Sequence, residues 1–175
     1  SPLSEASAEV AGRIGAVSTT RSPDQLTELL EREAPSIRDY FGRRCSSPED
    51  AADLLSDTLL VIWRRAKAVP SDDLEARMWM FGVARKVLTT HRRSTGRHAG
   101  LVGRLGSAVP AQPDDHRELR DLVEALGDPD REIVRLFYWE GFSLVEVADI
   151  LGMREATVRS RMSRARSKLR AQLDA

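Results

Sequence analysis

The chain has 175 residues, with 27 Lys+Arg set against 27 Asp+Glu and a formal net charge of zero; that is room for one domain or two small ones, and it excludes a uniformly basic nucleic-acid coat while leaving segregated charge open. A single cysteine, Cys45, excludes an internal disulfide and a cysteine-cluster zinc site, and His91, His98 and His116 lack partners at ligand spacing, so no metal or cofactor is expected. No apolar run approaches the roughly 20 residues of a membrane span and no secretory signal pattern opens the chain, so no membrane insertion is expected and a reducing cytoplasm fits best.

Residues 1–21 are rich in Ala, Ser, Gly and Thr without clear periodicity and are expected to form a disordered tail. The stretch Ser22-Pro23-Asp24-Gln25 then opens a helix, with Ser22 as N-cap, Pro23 in the first turn and Gln25 closing a capping box. Leu26, Leu29, Leu30, Ile37, Tyr40 and Phe41 supply its apolar side, and Pro35 is expected to break or kink it. Ser47 to Asp50 opens a second helix by the same chemistry, running to about Lys67, and a third helical pattern covers about Leu74 to Arg93. Residues 94–116 are rich in Gly, Pro and Ala and read as a linker. Beyond it Leu119, Leu122, Val123 and Leu126 carry a short helix, and Asp128 as N-cap with Pro129 in the first turn starts another, buried by Ile133, Val134, Leu136 and Phe137. Strand signals are missing. The expected architecture is all-α: two small helical domains, 22–95 and 117–175, joined by a flexible linker at 96–116.

The stretch GFSLVEVADILGMREATVRSR has the grammar of a helix-turn-helix. Ser143 and Glu146 form a capping box, Val147, Ile150 and Leu151 point inward, Ala148 lets a second helix cross closely, and Gly152 stands at the turn. In the basic helix that follows, about 100° per residue gathers Val158, Met162, Ala165, Leu169 and Leu173 into one core-seeking stripe. Ser160, Ser163 and Ser167 lie opposite, with Arg164 beside them and the other cations on two shoulders. A small polar face between long cations suits a helix laid in a DNA groove.

A second basic field runs from 77 to 104 without an acidic residue and includes Arg77, Arg85, Lys86, Arg92, Arg93 and Arg97, while Trp79, Phe81, Val83 and Val87 read as core. Such a field suits a melted strand. On the second helix, Asp53, Asp57 and Arg64 face out, Leu54, Leu55, Thr58, Leu59 and Ile62 face in with Trp63 at the edge, and Leu60 and Val61 fall outside the core stripe. An apolar pair beside two carboxylates offers a docking surface for a basic amphipathic helix.

These motifs carry a resemblance. EGFSLVEVADILGMREATVRSRMSRARSKLR resembles region 4 of the bacterial extracytoplasmic-function (ECF, group 4) RNA polymerase sigma factors of the sigma-70 family. AADLLSDTLLVIWRRA resembles their region 2.2 helix, and ARMWMFGVARKVLTTHRR their regions 2.3–2.4. The resemblance implies a promoter-specificity subunit rather than an enzyme. Region 2 would bind the β′ clamp helices of core polymerase through Asp53, Asp57, Leu60 and Val61 and melt the −10 element with Arg77, Arg85, Lys86, Arg92 and Arg93. Region 4 would bind the β flap and the −35 element, with Arg159, Ser160, Ser163 and Arg164 on bases and Arg161, Arg166 and Lys168 on phosphates. An anti-sigma factor is a further implied partner. Ser56 replaces the usual Gln of region 2.2, and Lys86 stands where relatives have Asn. The alternative is a stand-alone helix-turn-helix transcriptional regulator, which would need a ligand or phosphoacceptor domain that residues 22–95 do not resemble.

Overall fold

A computed structural model describes residues 20–99 and 117–175, which fall into two compact helical units. The expected tail over 1–19 and the linker from 100 to 116 lie outside the described residues. No strand occurs among those described.

The first unit holds α1 (Pro23–Gly42), α2 (Pro48–Arg64), a 3-10 turn (Ala66–Ala68) and α3 (Asp73–Ala99). The capping box of α1 forms as the spacing predicts: Ser22 Oγ accepts from the Gln25 amide at 3.2 Å, and Gln25 Oε1 accepts from the Ser22 amide at 2.9 Å. Pro35 does not break α1, which runs through it. Pro35 and Glu31 are both exposed, so the carbonyl that loses its amide partner lies within reach of water. Buried Ile37, Tyr40 and Phe41 hold the following turns against the core. Ser47 caps α2 by accepting from the Asp50 amide at 3.0 Å. That helix stops at Arg64, short of Lys67, and a 3-10 turn follows.

Helix α3 crosses the centre of the unit and buries Ala76, Met78, Trp79, Met80, Phe81, Val83, Ala84, Val87 and Leu88. Tyr40 packs edge-on to Phe41 at 5.3 Å and to Phe81 at 5.5 Å, joining α1 to α3. The helix continues past Arg93 to Ala99, into the stretch whose composition reads as linker. An established helix gains one hydrogen bond for each residue it adds, so extension through Ser94, Thr95 and Gly96 escapes the cost of a new nucleus.

The second unit holds α4 (Arg117–Glu124), α5 (Asp130–Tyr138), α6 (Leu144–Leu151) and α7 (Glu155–Leu173). Asp128 does not cap α5. The cap position is Pro129, without a side-chain bond, and the Asp128 carboxylate instead accepts from Arg131 at 3.0 Å. Ile133, Val134 and Leu136 are buried, with Phe137 half-buried. Ser143 and Glu146 close the capping box of α6. Gly152 ends that helix at φ +65°, a left-handed conformation that favours glycine and turns the chain into α7. Val158, Met162, Ala165 and Leu169 form the buried stripe of α7, but Leu173, placed in that stripe by its spacing, is 48% exposed on the last turn. It joins Leu119, Val123, Val134, Tyr138 and Trp139 around an apolar cleft of about 740 Å³.

Candidate nucleic-acid interface

The outward face of α7 presents Ser160, Ser163, Arg164 and Ser167, all exposed, as the spacing predicts. Small hydroxyls let the helix approach a groove closely, and Arg164 offers a planar fork of donors among them. Arg159 is exposed and paired with Glu155 one turn back at 2.7 Å. Lys168 is exposed on the opposite shoulder. Two other arginines are held by side chains of α5. Arg161 is half-buried and pairs with Asp130 of α5 at 2.9 Å, so it does not stand open to a phosphate as its spacing suggests. Arg166 donates through Nε to Tyr138 Oη at 3.0 Å and lies 5.3 Å and 5.7 Å above the rings of Phe137 and Tyr138.

The basic field of α3 divides in the same way. Arg77 pairs with Glu33 at 3.1 Å and lies over Phe81 at 5.2 Å. Glu33 is 7% exposed, and a buried carboxylate requires a cation. Arg77 thereby joins the seam between α1 and α3. Arg92 is exposed, yet donates to the Arg44 carbonyl at 3.1 Å. Arg85 and Arg93 are exposed and Lys86 is half-buried. These four remain together along the later turns of α3. The side chain of Arg97 lies outside the described residues.

On α2, Asp53, Asp57 and Arg64 are exposed, Leu60 is 51% exposed and Val61 half-buried. Leu54, Thr58 and Ile62 face the core as expected, while Leu55 and Leu59 are only half-buried. Thr58 is tolerated there because its hydroxyl donates to the Leu54 carbonyl at 2.7 Å. Trp63, placed at the edge by its spacing, is 49% exposed and enlarges the apolar patch beside Leu60. The spacing alone does not show that a side chain of that size is left half in water.

Two further features escape sequence inspection. Arg21, assigned to the tail by composition, donates to the carbonyls of Pro70 at 3.0 Å and Ser71 at 2.8 Å and to Asp73 at 2.8 Å. The Arg21 guanidinium beside Asp73 holds that carboxyl below its ordinary value, and Arg32 adds to the effect. Cys45 is half-buried, and its thiol is pushed up first by burial and then by the Asp50 carboxylate. No cluster of metal-ligating side chains occurs among the described residues, and none of the described helices is long and apolar enough to cross a membrane.

Residues 29–98 match the family model for Sigma-70 region 2, and residues 116–169 match that for Sigma-70, region 4. A helical region 2 followed by a helix-turn-helix region 4 defines the class as sigma-70 initiation factors. The ECF RNA polymerase sigma factor SigL of Mycobacterium tuberculosis is 29% identical over 154 residues, covering 83% of this chain and 86% of that protein. The ECF RNA polymerase sigma factor EcfG of Rhodopseudomonas palustris is 29% identical over 157 residues, covering 86% of each. Among solved structures, the sigma factor RpoE from Bartonella quintana, crystallised with the anti-sigma factor NepR, superposes with a TM-score of 0.69 at 27% identity, covering 85% of this chain and 96% of that one. The fold also matches CnrH, solved in complex with the cytosolic domain of CnrY, with a TM-score of 0.63 at 20% identity, covering 97% of this chain and 96% of that one. The chain belongs to the ECF group of the sigma-70 family and is a promoter-specificity subunit of RNA polymerase. Its partners are core polymerase and promoter DNA, and the comparisons give no support to a stand-alone regulator.

Proposed function

We propose that the two basic surfaces divide the promoter between them. Helix α7 enters the major groove of the −35 element, with Arg159, Ser160, Ser163 and Arg164 at base edges and Arg166 and Lys168 at phosphates. Arg85, Lys86, Arg92 and Arg93 on α3 hold the strand opened at the −10 element. Arg77 and Arg161 are not assigned to DNA, because Glu33 and Asp130 hold them within their units. Asp53, Asp57, Leu60 and Val61, joined by Trp63, form the docking surface for the β′ clamp helices, and region 4 docks on the β flap. The chain works in the cytoplasm, where the chromosome is, and catalyses no reaction of its own. An anti-sigma factor holds it inactive, a reading supported by the complex of its structural neighbour RpoE with the anti-sigma factor NepR.

The observation that carries this reading is the exposed Ser160–Ser163–Arg164 face, set opposite a continuous buried stripe on the same helix. Run-off transcription with core polymerase on a random promoter library tests it. Enrichment of a −35 and a −10 motif that core polymerase alone does not select is expected. Transcripts no different from those of core polymerase alone would overturn it.

A further inference from the structure

Beside the start of α6, one shoulder of α7 carries a cleft of about 340 Å³ lined by Leu144, Arg159, Ser163, Arg166, Ser167 and Arg170. At about 100° per residue, the three arginines lie within about 40° of one another around the helix. Among the described residues, Arg159 alone of the three has a carboxylate partner, Glu155. Among the described residues, neither Arg166 nor Arg170 forms an ion pair. Like charges gathered without counterions repel one another, and their site is completed by an anion.

Arg166 is also oriented, which distinguishes this cleft from an ordinary solvated face. Its Nε is taken by the Tyr138 hydroxyl, and its guanidinium rests on the Phe137–Tyr138 ring pair. With Nε taken, the Nη groups are the donors Arg166 has left for a ligand in the cleft it lines beside Ser163 and Ser167, and the Ser167 hydroxyl already donates to the Ser163 carbonyl at 3.1 Å. Planar guanidinium donors match the unesterified oxygens of a phosphodiester. Tyr138 itself is 56% exposed, so core packing does not account for a tyrosine at this position.

We propose that this cleft seats one backbone phosphate of the −35 duplex, and that Tyr138 is the positioning residue that aims Arg166 into it. This inference rests on the −35 reading above. Arg166 held in place loses less freedom on binding than a free arginine, so the hydroxyl of Tyr138 contributes to affinity without touching DNA.

The test uses the full chain bound to core polymerase, with a duplex selected from a random pool and a scrambled duplex of equal composition. Tyr138→Phe keeps the ring and removes the acceptor. It should weaken binding about threefold to tenfold, to a similar degree on both duplexes. Arg170→Gln should also weaken both, and should lower the slope of log affinity against log salt by about one. In an Arg166→Gln background, Tyr138→Phe should have no further effect. Losses from Tyr138→Phe that simply add to those of Arg166→Gln, or an unchanged salt slope in Arg170→Gln, would overturn the proposal. Unchanged thermal unfolding of each variant excludes a merely structural effect. Failure of the wild type to prefer the selected duplex would count against the −35 reading instead, while the salt slopes would still report on the phosphate seat.

Discussion

Single residues in this protein sort by what holds them. Arg77 and Arg164 are the same residue type on basic helices, yet Glu33 of 7% exposure claims the first and nothing buried claims the second. Arg77→Ala should therefore act on stability, costing about 1–3 kcal/mol in urea unfolding because Glu33 is left buried with less compensation. Arg164→Ala should leave unfolding unchanged, cost roughly 1–3 kcal/mol of −35 binding and relax sequence preference. Lys168→Ala should weaken specific and scrambled duplexes alike. Lys86 is half-buried among the exposed cations of α3. If it reads a base, Lys86→Asn changes which −10 sequences open, with similar total activity; permanganate footprinting across −10 variants reads this, and an unchanged preference rules base readout out. At Cys45 the raised thiol pKa keeps the thiolate scarce at neutral pH. Alkylation should be slower than for a free cysteine and rise with pH. Asp50→Asn should speed it at a fixed pH, because a charge that raises the pKa is removed.

Elements are decided where the backbone has least choice. Gly152 adopts φ +65° with open space around the position of a Cβ. Gly152→Ala thus costs backbone strain alone, on the order of 1 kcal/mol, and should loosen the angle between α6 and α7 before it unfolds the unit. A fall in −35 affinity larger than the fall in stability is the expected sign. Pro35 is the opposite case, a proline carried inside α1 by buried neighbours. Pro35→Ala restores an amide donor to the Glu31 carbonyl and should raise the melting temperature, by an amount corresponding to no more than about 3 kcal/mol.

For the whole molecule, zero net charge conceals a division of labour. Carboxylates stand beside Leu60 and Trp63 on α2, and cations crowd α3 and α7. Replacing Asp53 and Asp57 by lysine should abolish association with core polymerase while circular dichroism still shows a helical protein. Co-purification of the double variant with core polymerase would place the docking face elsewhere.

Local chemistry made much of this protein legible in its sequence. Ser22, Ser47 and Ser143 cap helices through bonds to residues three positions on, and Gly152 turns the chain with its own backbone. The buried stripe of α7 down to Leu169 follows from helical spacing alone. Each of these depends on neighbours within a turn or two, which a sequence lists in order. The tertiary structure decided whatever depends on a distant partner. Spacing puts Arg77, Arg161 and Arg166 on basic surfaces, but whether a cation is paired, or which way it is held, depends on Glu33, Asp130 and Tyr138, which lie 44, 31 and 28 positions away. Pro35 stays helical, and Arg21 leaves the tail to grip the loop before α3, for the same reason. Contacts across the fold outweighed the local preference, and a local pattern carries no information about which side chain arrives from elsewhere to make them.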